Sequence, residues 1–488
     1  MNSPQRQLST LVSASERTAL VYAGESWSYA ELAAAADELA RAMTAADLRG
    51  ERVALALPNC PELVLCYLAC FASGAVATPF NTRYAPPELE QALRRARPRW
   101  LVVHSGKLAD LALIDPAVLD DTRVLVVGDS AGGHEEFGAV RAPSGSRDPE
   151  ASDPGAPAVM FFTSGSTGRP KGVVHSHRSA LGILTSTSEA LGDVTADDVT
   201  QVFEPQVHVS GFIATMTTLL AGGTVALYDG FDPARYVEAL QKHRPTLVCT
   251  HIDVLAQVLR EPGMQRSWFS SLRGVYTGGD TVPAALQREF MAASGLPIGV
   301  GWGMTEAIWL TISRDPQLDR DGCIGVPVTG LEVRTDPETG ELLVRGPMVM
   351  DHYWEDETLT AATLTDGWLH TGDLGEQDAD GVWWFTGRIK DIIVRRTSKI
   401  SPGEVESALD EHPGVAAAAV IGVPDAEEGQ VPVAFVVPRD DAVLTIEDLL
   451  SFLRNRIAAY KIPARLYFRA ALPLTTSGKI NRRELSEG

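Results

Sequence analysis

The stretch Thr163-Ser-Gly-Ser-Thr-Gly-Arg-Pro-Lys-Gly172 is the most distinctive part of the sequence, and it directly follows the apolar run 158–162. Glycines let backbone N–H groups approach an anion closely, hydroxyl side chains donate further hydrogen bonds, and Lys171 adds a positive charge. A Gly-Lys-Ser/Thr ending is absent, so the loop is not a Walker A motif. A strand that leads into such a loop predicts a phosphate-binding site rather than a flexible Ser/Gly linker.

On both sides of this loop, helical stretches alternate with short apolar runs: ERVALALP from 51, RWLVVHS from 99, TRVLVVGD from 122 and GTVALYDG from 223. Such alternation predicts an α/β fold, with a large N-terminal region (1–387) of mostly parallel sheets flanked by helices. The remainder, 388–488, has its own pattern, with helices expected at 402–411 and 446–458 and strands at 415–423 and 431–438. We therefore expect a second, small α+β domain at the C-terminus.

The composition limits which molecules the protein is expected to bind and where in the cell it is expected to be. The chain of 488 residues has 63 acidic and 42 basic side chains and a net charge of -21, which disfavours binding to nucleic acid or to anionic membranes. Its five cysteines form no CxxC pair, and the N-terminus lacks a secretion signal, so a cytoplasmic location is expected. The uncharged stretch 63–80 contains Ser73, Gly74 and Pro79, which predicts a buried helix and a strand rather than a membrane span.

Further motifs follow the phosphate loop in a fixed order. They are Gly301-Trp-Gly-Met-Thr-Glu306, Gly340-Glu-Leu-Leu-Val-Arg-Gly346, Gly367-Trp-Leu-His-Thr-Gly-Asp373, Gly387-Arg-Ile-Lys-Asp391 and Thr476-Ser-Gly-Lys-Ile-Asn481. Through these motifs nearly the whole chain resembles the acyl-adenylate-forming superfamily of acyl-CoA synthetases, peptide-synthetase adenylation domains and firefly luciferase. Each motif alone is weak, whereas their combined order and spacing are specific.

The resemblance implies a two-step reaction. A carboxylic acid and ATP, with Mg²⁺, give an acyl-adenylate and pyrophosphate, and the acyl group then passes to the thiol of coenzyme A or of a carrier-protein phosphopantetheine. One alternative is a stand-alone adenylation enzyme that loads an acyl or β-amino acyl group onto a carrier protein. Another is a catalytically silent nucleotide-binding regulator, which we would expect to have lost Lys479 or Glu306; both are present.

The resemblance also implies roles for individual residues. Trp302, where the family more often has Tyr, would stack on adenine; Asp373 would accept hydrogen bonds from the ribose hydroxyls, with Arg388 as a second contact. The catalytic residues would be Lys479, Glu306, Thr305 and Lys171, with Glu306 and Thr163 at the metal. The complete nucleotide site would comprise Thr163, Ser164, Gly165, Ser166, Thr167, Gly168, Lys171, Gly278, Gly279, Asp280, Trp302, Gly303, Met304, Thr305, Asp373, Arg388 and Lys479.

Two lysines near the C-terminus have distinct implied roles. Lys479 would reach into the site and bridge the acyl carboxylate and the α-phosphate, where its charge offsets the repulsion between two anions. Lys390 would be the hinge about which the mobile C-terminal domain rotates between the two half-reactions. Many relatives read Lys-Asp-x-Ile-x-x-Gly-Gly at this hinge, whereas this chain has Arg396 and Thr397 in place of the small residues. The choice between coenzyme A and a carrier protein therefore stays open.

The acyl pocket is expected to take a modest hydrophobic acid. Val209 stands where relatives that activate α-amino acids usually keep an aspartate, which disfavours such a substrate. Asp229 and Asp253 are alternatives for binding the amine of a β-amino acid, although solvated surface positions are the default interpretation. The resemblance assigns the pocket walls to His208, Val209, Phe212, Thr277, Gly278, Met304, Ile308 and Trp309.

Overall fold

The computed structural model describes residues 8, 11–129, 134–164, 170–279, 282–315, 317–395, 398–425, 428–439, 442, 444–454, 456–474 and 480–487. Several residues named above lie outside this part of the chain: Gly165, Ser166, Thr167, Gly168, Asp280, Arg396, Thr397 and Lys479.

Residues 18–176 begin both large sheets. The helix at residue 29 starts where Ser28 accepts a hydrogen bond from the backbone of Glu31, whose carboxylate in turn accepts from the Ser28 backbone, a capping box. The strands are β1 Thr18–Tyr22, β2 Glu25–Ser28, β3 Arg52–Ala56, β4 Val76–Pro79, β5 Trp100–His104, β6 Arg123–Val127, β7 Glu135–Glu136, β8 Pro157–Ser164 and β9 Pro170–Ser176; the helices are α1 Tyr29–Ala45, α2 Pro61–Ser73, α3 Pro86–Ala96 and α4 Leu108–Leu111.

Residues 177–313 continue the alternation of helix and strand. The helices are α5 His177–Ala190, α6 Val209–Ala221, α7 Pro233–His243, α8 Ile252–Leu259 and α9 Ala284–Ser294; the strands are β10 Val199–Val202, β11 Thr224–Leu227, β12 Leu247–Cys249, β13 Gly274–Gly278, β14 Ile298–Met304 and β15 Ala307–Ser313.

Residues 323–388 are mostly strands. They form β16 Cys323–Pro327, β17 Glu332–Thr335, β18 Glu341–Arg345, β19 His352–Tyr353, β20 Leu364–Thr365, β21 Trp368–Gln377 and β22 Trp383–Arg388, with helix α10 Glu357–Thr363 before β20.

The largest sheet is mixed. Its order is β17-β18-β21-β22-β16-β15-β14-β13-β12-β10-β11-β1-β2, and β10 to β14 run parallel, whereas the strands from β15 onward pair antiparallel. The change of direction has a simple cause. Only Thr305 and Glu306 separate β14 from β15, and a two-residue connection permits an antiparallel hairpin but not a parallel crossover. The expected α/β architecture is confirmed, and its parallel strands make up one part of the sheet.

The second large sheet has the order β19-β9-β8-β4-β3-β5-β6-β7, in which β8 and β9 pair antiparallel and β8, β4, β3, β5 and β6 run parallel. One cluster of buried apolar side chains includes members of both sheets and of α1, α2, α5 and α6. Other clusters join α7, α8 and α9 to the larger sheet and α3 and α4 to the smaller one. The N-terminal region is therefore a layered α/β structure.

The C-terminal region forms its own sheet, β24-β23-β26-β25 with β27 beside β26. The two strands and two helices expected there are confirmed within a few residues. Strand β22 belongs to the largest sheet and β23 to this one; the boundary at 387/388 stays a prediction. The elements are β23 Ile393–Arg395, β24 Ser398–Ile400, α11 Pro402–Asp410, β25 Val415–Asp425, β26 Gly429–Pro438, α12 Ile446–Arg454, β27 Arg465–Phe468 and α13 Arg482–Glu487.

The uncharged stretch 63–80 forms most of helix α2 and strand β4, as the sequence predicts. Within the described ranges, no helix is both long and apolar enough to cross a membrane.

Candidate active site

The turn between β14 and β15 carries two of the predicted catalytic residues, Thr305 and Glu306. The carboxylate of Glu306 is buried, and its Oε1 accepts a hydrogen bond from the hydroxyl of Tyr353 at 2.7 Å. The carbonyl of Thr305 lies 2.8 Å from Nε2 of His175, a fully buried ring on β9. Burial lowers the pKa of His175 to about 4, so the ring is neutral and Nε2–H donates to Thr305. The turn is thus held from two sides.

The exit of the phosphate loop lies beside this turn. Thr163 on β8 is the register partner of Lys171 on β9, and the Lys171 ammonium lies 5.6 Å from the ring centroid of Tyr353. Since Tyr353 also binds Glu306, the structure brings together the cation and the carboxylate that the family resemblance implies for the phosphates and the metal.

The predicted nucleoside residues Trp302, Asp373 and Arg388 form one cluster. The Trp302 indole Nε1–H donates to Oδ2 of Asp373 at 2.9 Å, and Nε of Arg388 lies 3.0 Å from Oδ1 of the same carboxylate. Asp373 and Arg388 are register partners on β21 and β22. The carboxylate therefore orients both the indole plane and the guanidinium. Trp302 therefore makes this hydrogen bond through a ring N–H donor that a phenolic ring lacks.

The predicted acyl-pocket residues come from α6, β13, β14 and β15. His208 precedes α6 and Val209 is its first residue. Burial lowers the pKa of His208, and the neighbouring His251 lowers it further. Phe212, one turn into α6, is fully buried, and its ring lies 5.0 Å from Tyr67 and 5.3 Å from Phe161. Phe212, a predicted pocket wall, therefore packs among aromatic rings of the core.

Trp309 lies against the backbone of the adjacent strand. A Cβ atom built on Gly301 would come within 1.7 Å of the Trp309 ring, so only glycine fits beneath it. Trp309 itself has a φ of 48°, a left-handed conformation that is rare for a bulky residue. The ring thus fills space next to Gly278, whose strand pairs with Gly301.

The predicted hinge residue and the two alternative amine ligands lie at exposed positions. Asp229 and Asp253 are exposed, and Asp253 is in the first turn of α8. Lys390 is exposed in a short 3₁₀ turn, Ile389–Asp391, between the large and the small sheet.

Four residues near the site were not predicted from the sequence: Tyr353, His175, Glu204 and His251. Tyr353 lies in the aromatic cluster His352-Tyr-Trp354, and His175 lies within the apolar strand that follows the phosphate loop. A polar residue in an otherwise apolar strand is a signal that could have indicated His175. The pairing of Glu204 with His251 joins residues 47 apart, and no local pattern indicates it.

Comparison with known proteins identifies the family. The chain matches the AMP-binding enzyme family over residues 10–354 and the AMP-binding enzyme C-terminal domain over residues 404–479, and it belongs to this family. It is an ATP-dependent, adenylate-forming enzyme of the acid–thiol ligase class.

The relatives named here match over nearly their whole length. Feruloyl-CoA synthase of Amycolatopsis sp is 35% identical, with 96% of this chain and 95% of the relative covered. Indoleacetate–CoA ligase of Aromatoleum aromaticum is 35% identical, with the same coverage of both chains. The crystal structure of ATP-bound MatB from Rhodopseudomonas palustris superimposes with a TM-score of 0.88 at 29% identity and covers 98% of each chain.

Proposed function

We propose that the chain joins an apolar, ring-bearing carboxylic acid to coenzyme A through an acyl-adenylate. The observation that carries the proposal is the convergence of the Thr305–Glu306 turn, the end of the phosphate loop at Lys171 and the cluster around Asp373. The predicted pocket walls are mostly apolar, which suits such an acid. The two relatives named above, a feruloyl-CoA synthase and an indoleacetate–CoA ligase, support a ring in the substrate.

In the first half-reaction, a carboxylate oxygen of the acid attacks the α-phosphorus of ATP and pyrophosphate leaves. Lys171 and the phosphate loop would bind the β- and γ-phosphates, and Thr305 would donate a hydrogen bond to the α-phosphate. Trp302 would hold the adenine, and Lys479 would lie between the two reacting anions. Each group acts on charge that is present or develops in the transition state.

The donor set fits Mg²⁺. Glu306 offers a carboxylate and Thr163 a hydroxyl, and Mg²⁺ in nucleotide sites is bound by one or two carboxylates together with substrate phosphates. Among the described residues, no group of three or more His, Cys, Asp or Glu side chains could hold a metal ion alone. The phosphates would therefore complete the coordination, and the bound cation would neutralise part of the triphosphate charge.

In the second half-reaction, the thiolate of the acceptor attacks the acyl carbonyl carbon and AMP leaves. Rotation about Lys390 would withdraw Lys479 and admit the pantetheine arm. We place the reaction in the cytoplasm, since all five cysteines are buried thiols without disulfides, as suits a reducing compartment.

The test is an acid library assayed by ATP–pyrophosphate exchange, with each active acid then assayed for thioester formation with coenzyme A and with a phosphopantetheinylated carrier protein. We expect aryl acids to drive exchange and coenzyme A to accept the acyl group. Exchange without thioester formation on coenzyme A, but with loading of the carrier protein, would replace the proposed acceptor. An absence of exchange with every acid would overturn the proposal.

A further inference from the structure

Residues 349–354 connect the two large sheets beside the turn between β14 and β15. At one end of this segment, the backbone N–H of Met350 donates to the carbonyl of Glu306 at 2.7 Å. At the other end, β19 pairs antiparallel with β9, and the backbone N–H of Trp354 donates to the carbonyl of Gly172 at 2.7 Å. The segment therefore joins the turn to the strand that leaves the phosphate loop.

Tyr353, in this segment, contacts the predicted metal ligand and the predicted phosphate ligand with different parts of one side chain. Its hydroxyl donates to Oε1 of Glu306 at 2.7 Å, and its ring centroid lies 5.6 Å from the ammonium of Lys171. The residue is 5% exposed, and its backbone is the register partner of Val173 on β9. Burial and strand pairing thus hold the phenol between the two charged groups.

Glu306 lacks a cationic partner in the part of the chain that the structure describes. The residue is 8% exposed, and its side chain accepts the neutral hydroxyl of Tyr353 rather than a lysine, arginine or histidine of the described residues. Buried carboxylates are normally paired with a cation or bind a metal ion. A carboxylate has two acceptor oxygens, so a hydrogen bond to Oε1 leaves Oε2 for a cation.

Lys171 is held by an aromatic ring and not by a carboxylate. Among the described residues it forms no ion pair, and its ammonium lies over the ring of Tyr353. A cation over a ring face is attracted to the ring while its charge is not neutralised. The charge of Lys171 therefore stays available for an anion.

We propose that Tyr353 is a positioning residue that couples metal binding to triphosphate binding. Its hydroxyl fixes the carboxylate of Glu306, and its ring fixes the ammonium of Lys171. The inference rests on the proposed function and adds one residue to the nucleotide site. Mg²⁺ and the triphosphate bind as one complex, so a side chain that sets the spacing of their two protein ligands favours that complex over the free nucleotide.

The test measures the Kd of ATP by isothermal titration calorimetry without any acid, once with excess Mg²⁺ and once with EDTA. The ratio of the Kd in EDTA to the Kd in Mg²⁺ is the metal enhancement. Removal of a group that hydrogen-bonds a metal ligand typically lowers metal affinity roughly ten- to a hundredfold. We therefore expect Tyr353→Phe, which keeps the ring and loses the hydroxyl, to reduce the enhancement roughly tenfold and to leave the Kd in EDTA nearly unchanged.

A second substitution isolates the ring. Tyr353→Leu removes both the hydroxyl and the ring, so we expect it to reduce the metal enhancement as Tyr353→Phe does and also to raise the Kd in EDTA by a factor of about three. A residue with only a structural role would change the two Kd values by the same factor. That outcome would contradict the proposal.

Tyr29→Phe is the matched control. Tyr29 is also buried, and its hydroxyl donates to the carbonyl of Gly223 at 2.7 Å, so this variant loses a phenolic hydrogen bond on α1 and should keep the wild-type enhancement. In a Glu306→Gln background, Tyr353→Phe should reduce the enhancement no further, because the hydroxyl acts through the carboxylate. Thermal unfolding verifies that each variant is folded.

The wild-type protein separates this inference from the proposed function. If it catalyses ATP–pyrophosphate exchange but its metal enhancement is close to one, or is equal to that of Tyr353→Phe, the proposed function stands and the role of Tyr353 is overturned.

Discussion

The positive charge of Lys479 acts, in the proposed site, where two anions must come within bonding distance. Lys479→Ala should therefore lower ATP–pyrophosphate exchange by a factor on the order of a hundred or more and leave the Kd for ATP nearly unchanged. Exchange rates and ATP titration on the same preparation measure the two effects. Lys242→Ala, an exposed lysine on α7, is the control. Near-normal exchange in the Lys479 variant would refute the assignment.

The lowered pKa of His175, which binds the Thr305–Glu306 turn, predicts that the stability of the protein depends on pH. This pKa is lowered from 6.5 to about 4 by burial, so the folded protein excludes a proton that the unfolded chain binds below pH 6.5. The free energy of unfolding is therefore unaffected by His175 above about pH 6.5. It falls as the pH decreases toward 4, by about 3 kcal/mol at most. His175→Phe should flatten this part of the stability–pH curve, as measured by urea unfolding between pH 4 and 7.5.

His177 is a control that distinguishes the effect of a buried histidine on stability from the effect of His175 on the position of the turn. The pKa of His177 is also lowered to about 4 by burial, so His177→Phe should flatten the curve in a similar way. Only His175 binds the Thr305 carbonyl, and only His175→Phe should reduce kcat for adenylation. Equal activity in the two variants would mean that His175 has no role in positioning the turn.

At the scale of the element, β14 and β15 are coupled through Trp309 and Gly301. Trp309→Gly should widen the acyl pocket and relieve the positive φ, whereas Trp309→Ala should widen it while the strain remains. We expect the glycine variant to be more stable than the alanine variant by about 1 kcal/mol. Chemical unfolding measures this difference, and activity toward bulkier acids measures the pocket.

Because the Trp309 ring lies over Gly301, we expect substitutions at these two positions to have non-additive effects on stability. Gly301→Ala alone should strongly destabilise the protein, because the new methyl group would overlap the Trp309 ring. In the Trp309→Gly background the methyl group has room, and its cost should largely disappear. A double-mutant cycle by urea unfolding gives the coupling energy, and additive effects would show that the ring does not lie over Gly301 in solution.

At the scale of the whole molecule, the two domains meet around the segment that contains Lys390. The Ser401 hydroxyl of the C-terminal region donates to the Thr386 carbonyl of the N-terminal region at 2.5 Å. This hydrogen bond joins the two regions on either side of the predicted hinge at Lys390.

Lys390→Pro should restrict rotation, because the proline ring holds φ near -65°. If the fixed state is the one that adenylates, acyl-adenylate formation should survive while thioester formation falls by a factor on the order of a hundred or more. Lys390→Ala removes the side chain without restricting φ and should retain both steps. Supplying pre-formed acyl-adenylate isolates the second step; unchanged thioester formation in the proline variant would exclude Lys390 as the pivot.

The sequence by itself determined the family, the α/β class and the division into a large and a small domain, because these depend on local signals. Ordered motifs, alternating apolar runs and turn residues are all read within short windows of chain. The helix and strand that include residues 63–80 and the C-terminal elements from 402 to 454 were predictable for the same reason.

Only the tertiary structure decided which distant side chains meet. Trp302 and Asp373 are 71 residues apart, and Glu204 and His251 are 47 apart, yet each pair shares a hydrogen bond. Their contact depends on which strands become neighbours in the sheet, and the energy of that pairing comes from the packed layers rather than from any short segment. The chemistry of single positions could therefore be predicted from the sequence, whereas the orientation of these residues relative to one another is determined by the tertiary structure.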